Sequence, residues 1–134
     1  MKKYLVIGNP IEHSLSPQLH NYWIKKNNIN AVYDKKQLNE SDIEEIITEV
    51  KNGKIDGINV TVPFKKSVIP FLDKLTPLAN ETHSVNTIYK ENKNGVDIVV
   101  GANTDVGGFK QSLEYINYKV KNKKVFILGA GGVV

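Results

Sequence analysis

"GINVTVPFKKSV", residues 57–68, is the stretch on which the reading of this chain turns. "GINVTV" (57–62) alternates apolar and polar residues and is rich in β-branched side chains, so it reads as a strand. Pro63 stops it. "PFKKSVIPFLDKL" (63–75) reads as a helix with a kink or break at Pro70. A helix starting at Pro63 places Lys65 and Lys66 in its first turn, where aligned peptide dipoles favour acids over bases. A solvated lysine tolerates that for roughly a few tenths of a kcal/mol. The other reading is that an ammonium is held there for a ligand.

Strand and helix signals alternate on either side. "YLVIGN" (4–9) reads as a buried strand. "SPQLHNYWIKKNN" (16–28) reads as a helix with Ser16 as N-cap, Pro17 in its first turn, and Leu19, Tyr22 and Trp23 on one face. "AVYDKKQL" (31–38) is a weaker strand. "SDIEEIITEVKNG" (41–53) is an amphipathic helix with Ser41 as cap, Glu44 three residues later and Gly53 as its stop. "VNTIYKEN" and "VDIVVGAN" are two strands joined by "NKNG", and "DVGGFKQSLEYIN" (105–117) is a helix. "KKVFILGAGGVV" (123–134) is a strand followed by a glycine turn. The pattern predicts an α/β fold, a mostly parallel open sheet with helices on both faces. "NYKVKNKK" (117–124) marks a boundary between a domain at 1–117 and the start of another at 118–134. There Gly129 and Gly131 match the first two glycines of a dinucleotide-binding turn, with Val134 at the third position. A single strand cannot bury both its faces, so the chain is expected to be part of a longer enzyme.

Composition narrows the classes. The chain has 134 residues, 40% hydrophobic and 24% charged, with no cysteine, which excludes disulfides and thiolate metal sites. No apolar run has the length of a membrane span and the N-terminus lacks a signal-peptide core, so the expected location is the cytoplasm. Net charge is +4, yet all 18 basic residues are lysine, scattered among 14 acids. Without arginine, a small anionic substrate fits better than nucleic acid.

Three strand-to-helix junctions carry more polar residues than turns need: "HSLSP", "NVTVPFK" and "NTD". In an open sheet, ligands bind beyond the carboxyl ends of the strands. Ser14, Ser16, Thr61, Lys65, Asn86, Thr104 and Asp105 can reach one such crevice, which suits a polyhydroxylated carboxylic acid. Each also has a plain role. Ser16 can serve only as a cap, Ser14 as a loop hydroxyl, Asn59 and Thr61 as strand residues, and Asp105 as a helix start. His13, His20 and His83 have no metal-ligand spacing and read as polar or packing residues.

In this order, "SLSPQLHN", "GINVTVPFKKSV", "VNT", "GANTDVGGF" and "ILGAGG" closely resemble shikimate dehydrogenase, over nearly the whole chain. The resemblance implies a two-domain enzyme whose N-terminal domain binds shikimate and whose Rossmann domain binds NADP. It reduces 3-dehydroshikimate to shikimate with NADPH, in aromatic amino acid biosynthesis. It implies that Ser14 and Ser16 hold the substrate carboxylate and that Asn59, Thr61, Asn86 and Asp105 bind its other polar groups. Lys65 and Asp105 would form the catalytic pair, with Gly129, Ala130, Gly131, Gly132 and Val133 at the cofactor. An ammonium beside the reacting oxygen stabilises the charge that hydride delivery builds there, whereas Lys66 is expected to be solvated. The family usually carries small residues where this chain has His83 and Ser84, and often an acid at Pro77. The alternatives are a relative acting on quinate or using NAD, and a non-catalytic shikimate-binding module. This chain alone is expected to fold, to bind shikimate, to lack dehydrogenase activity, and to expose an apolar strand at 125–128 that favours self-association. No nucleic acid or membrane partner is expected.

Overall fold

Alternation along the first strand sets both cores of the molecule. In the computed structural model, which describes residues 1–129, β1 (Lys2–Gly8) turns Leu5 and Ile7 to one face and Tyr4 and Val6 to the other. It lies between β2 (Ala31–Gln37) and β3 (Gly57–Val60), parallel to both. Beyond β3 the sheet continues, in the spatial order β2-β1-β3-β5-β6-β4, through β4 (Lys74–Leu75), β5 (Thr87–Lys93) and β6 (Val96–Ala102). β5 runs antiparallel to β3 and β6, while β4 and β6 are parallel, so three of the five pairings are parallel. The hairpin between β5 and β6 turns at Asn94 and Gly95, both with positive φ (53° and 81°), as a tight turn of matching twist requires.

Helices cover both faces, as the alternation of signals predicts. α1 (Ser16–Lys26) lies against β1 and β2, on the Tyr4–Val6 side. α2 (Ile43–Lys51) buries Ile43, Ile46, Ile47 and Val50 in the main core with Ile7, Ile58, Val60 and Ile88. It ends near Gly53, whose φ of +74° suits glycine. α3 (Pro77–Thr82) and α4 (Asp105–Tyr115) complete the elements among the described residues.

Several sequence expectations are corrected. Residues 63–75 form no α-helix: a run of turns leads to a short 3-10 turn at Ile69–Phe71 and then to β4. Pro70 has no N–H to give the Lys66 carbonyl, which leaves too few residues between the two prolines to pass helix nucleation. The helix expected from Ser41 begins at Ile43, after a 3-10 turn capped by Asn39, whose N–H donates to Asp42 Oδ2 at 2.7 Å. Ser16 is the first residue of α1 and not its cap, which is Leu15. The predicted apolar face of α1 is turned outward, with Leu19, Tyr22 and Trp23 exposed. Its inward positions are His20, Asn21 and Ile24, because β2 presents a tyrosine that polar and aromatic groups hold better. Residues 123–129 contain no strand, and Val125, Phe126, Ile127 and Leu128 are exposed without a neighbouring ladder. Sequence reading passes over α3, although Thr76–Pro77 is a helix-start pair.

Two glycines bring the site loops together. A Cβ on Gly8 would lie 2.6 Å from the Thr61 methyl and 3.0 Å from the Val62 carbonyl oxygen. The exit of β1 therefore lies against the turn that follows β3, and Asn9 N–H donates to Val62 O at 3.0 Å. Gly101 in β6 likewise leaves room for Leu72, Leu75 and Val85.

Candidate active site

Because β5 alone runs against its neighbours β3 and β6, its first residues sit beside the carboxyl ends of β1, β3 and β6. Ser14 and Ser16 follow β1, Asn59 lies near the end of β3 and Thr61 just beyond it, Asn86 precedes β5, and Asp105 opens α4 after β6. The residues predicted from three separate junctions thus share one end of the sheet.

Lys65 and Asp105 are its charged centre. Lys65 Nζ lies 2.7 Å from Asp105 Oδ2. The lysine side chain is 10% exposed and the aspartate 41%. No helix dipole opposes this lysine, since none runs through residue 65. The cost of the ammonium comes instead from its burial. The Asp105 carboxylate offsets it, and the lysine carbonyl accepts Val85 N–H at 2.9 Å. Lys66 is exposed.

Asp105 is held from two sides. Asn86 Nδ2 donates to Asp105 Oδ1 at 3.0 Å and to Thr104 Oγ1 at 2.7 Å, while Asn86 Oδ1 accepts Thr104 N–H at 2.9 Å. Asn103 Oδ1 accepts the N–H of Asp105 at 2.9 Å and of Val106 at 3.3 Å, which caps α4 in the manner of an Asx turn. Its amide donates to the Ser84 carbonyl at 3.0 Å. Asn103 is missed by the sequence reading, although it stands first in "NTD".

The polar contacts continue toward α1. Asn59 Nδ2 faces Asn86 O and Thr87 Oγ1, both at 3.3 Å, and Asn59 Oδ1 accepts the Tyr33 hydroxyl at 2.7 Å. The Ser16 hydroxyl lies near enough to the phenol to influence it. Burial pushes Tyr33 up to about 12, against the smaller, opposite effect of Ser16. Ser16 N–H donates to Ser14 Oγ at 3.3 Å. One hydrogen-bonded row therefore runs from Tyr33 to Lys65 through Asn59, Asn86 and Asp105, with Ser16 near its Tyr33 end. Thr61 stands apart from it: its methyl lies over Gly8 and its N–H donates to Ile7 O. Tyr33 is also missed, because a tyrosine in a strand reads as an ordinary β residue. His20 stacks on it with ring centroids 4.2 Å apart, and burial lowers the imidazole pKa. His13 and His83 are exposed.

At the glycine turn, Gly129 has φ +97°, a conformation that favours glycine and suits a turn approaching a phosphate. Ala130, Gly131, Gly132 and Val133 lie outside the described residues.

A mixed α/β sheet with polar side chains gathered beyond the ends of its strands is a common setting for a small-molecule-binding domain. The family model of the shikimate dehydrogenase substrate binding domain matches residues 6–88, and the chain belongs to that family. It is 59% identical over 133 residues to the shikimate dehydrogenase (NADP(+)) of Pelagibacter ubique (strain HTCC1062), covering 99% of this chain and 49% of that protein. Among solved structures, shikimate dehydrogenase 1 from Peptoclostridium difficile superposes with a TM-score of 0.89 at 32% identity, over 99% of this chain and 48% of its own. Shikimate 5-dehydrogenase from Thermus thermophilus, solved in complex with shikimate, superposes with a TM-score of 0.87 at 29% identity, over 99% and 49%. The chain spans about half the length of the relatives it matches. Among the described residues no helix is long and apolar enough to cross a membrane.

Proposed function

We propose that this chain is the substrate-binding half of an NADP-dependent shikimate dehydrogenase and holds shikimate or 3-dehydroshikimate at the strand ends described above. The observation that carries the reading is the buried Lys65 ammonium, 2.7 Å from Asp105, at the end of a row of neutral hydrogen-bonding groups. The relatives' names and the bound shikimate in one of them support the same substrate. The boundary between a substrate domain at 1–117 and a cofactor segment at 118–134 belongs to this proposal.

In it, the Ser14 and Ser16 hydroxyls donate to the substrate carboxylate, and Asn59, Thr61 and Asn86 meet its hydroxyl groups. NADPH, when bound, supplies the hydride, and Gly129 is the described residue suited to approach its pyrophosphate. As the ketone becomes an alcohol, negative charge gathers on the oxygen. Lys65 stabilises that charge and gives up a proton to it. Asp105 keeps the ammonium aimed and accepts a hydrogen bond from a neighbouring substrate hydroxyl. Asn86 and Asn103 hold the carboxylate in place.

The test is steady-state kinetics on an enzyme of full family length carrying this sequence. Lys65→Ala is expected to lower kcat by on the order of a hundredfold or more, about 3 kcal/mol, with a smaller change in KM. Undiminished kcat would remove Lys65 from the chemistry and this reading with it.

A further inference from the structure

Tyr33 is the one buried side chain of β2, at 5% exposure, in a strand otherwise polar or half-exposed. Three residues of α1 converge on it. Asn21 holds its backbone from both sides, donating to the Tyr33 carbonyl at 2.7 Å and accepting its N–H at 3.0 Å. His20 stacks on the ring at an interplanar angle of 6°. The Ser16 hydroxyl lies near the phenol. A pure packing role does not need the hydroxyl, and its direction is informative. A phenol has one proton, and here it goes to Asn59 Oδ1 at 2.7 Å. The Asn59 carboxamide is then fixed with its NH2 toward the Asn86 carbonyl and Thr87 Oγ1. The carbonyl is an acceptor only, so it requires the same orientation independently. Both contacts on that side are long, at 3.3 Å, so they can yield to a better acceptor.

We infer that Tyr33 is a positioning residue for the substrate site: its hydroxyl locks the Asn59 carboxamide so that Asn59 offers a donor, and not an acceptor, to a ligand oxygen. Without that hydroxyl the carboxamide oxygen loses its donor and only the two 3.3 Å contacts hold the NH2, so the amide can swing away from the ligand oxygen. The inference rests on the proposed function, because the ligand it serves is the one named there.

The test is Tyr33→Phe, which keeps the ring and its stack on His20, read by calorimetric titration of this chain with shikimate. The affinity is expected to fall about tenfold, the size of one hydrogen bond to a neutral partner. In an Asn59→Ala background the same change is expected to cost less than about twofold, because the group it orients is gone. A merely structural tyrosine would lower thermal stability and leave the two backgrounds alike. Binding by Tyr33→Phe equal to that of the unaltered chain, or a full tenfold loss that persists in the Asn59→Ala background, overturns the inference while leaving the proposed function intact. No binding of shikimate by the unaltered chain overturns both. A second reading, free of ligand, is the side-chain amide signal of Asn59. A single protected signal that broadens or splits in Tyr33→Phe supports the lock, and an unchanged signal contradicts it.

Discussion

Lys65 is the more buried partner of its ion pair, and this makes the two halves unequal. Removing Asp105 strands an ammonium that water reaches poorly, whereas removing Lys65 leaves a carboxylate that water can solvate. Asp105→Ala is therefore expected to destabilise the fold by about 2 kcal/mol, and Lys65→Met by less than about 1 kcal/mol. Urea unfolding of both variants checks this, and equal losses would contradict the burial argument. Tyr33 carries a pH signature of its own. Its neutral form is favoured in the fold, where burial raises the hydroxyl to about 12 from an ordinary 10. That contribution is fully present below pH 10 and is lost as pH climbs through 12. Relative to Tyr33→Phe, the unaltered chain should lose on the order of 2 kcal/mol of stability across that window, and parallel pH profiles would refute it. At this scale the sequence is a good guide to charged and small polar groups, because "HSLSP", "NVTVPFK" and "NTD" carry more of them than turns require. It is a poor guide to Tyr33, whose role comes from contacts across chain separations that no local pattern records, and to the contact of Asn103 with the Ser84 carbonyl.

The elements show where local pattern loses to tertiary context. α2 is legible because its apolar spacing and its burial agree. α1 is legible as a helix but not in its orientation, since it turns His20 and Asn21 toward Tyr33 and leaves Trp23 outside. The stretch after β3 misleads because Lys65 and its neighbours suit a helix, while the two prolines that bracket them leave no length for one. His83, where the family resemblance implies a small residue, ends α3 with φ +51°. That left-handed cap favours glycine. His83→Gly is expected to stabilise the fold by about 0.5–1 kcal/mol, read by urea unfolding, and a loss of stability would show that the imidazole does more than cap. Gly8→Ala is expected to act in the opposite sense, costing roughly 1–3 kcal/mol, because the new methyl meets Thr61 and the Val62 carbonyl. A neutral result in thermal melting would mean that the two loops part easily.

For the molecule as a whole, the α/β class and the helices on both faces are legible from the alternation of strand and helix signals. The antiparallel β5 is not, because a hairpin signal does not say which sheet edge it joins. That inversion matters for function, since it brings Asn86 to the same end as Ser14, Ser16, Asn59, Lys65 and Asp105. The central claim is that this end of the sheet is a site for shikimate. Calorimetric titration of the chain with shikimate, alongside Ser16→Ala and the solvated control Lys66→Ala, tests it most directly. Saturable one-to-one binding is expected, unchanged in Lys66→Ala and weakened about tenfold or more in Ser16→Ala, which loses a hydrogen bond to a carboxylate. No binding, or binding that Ser16→Ala leaves untouched, would contradict it.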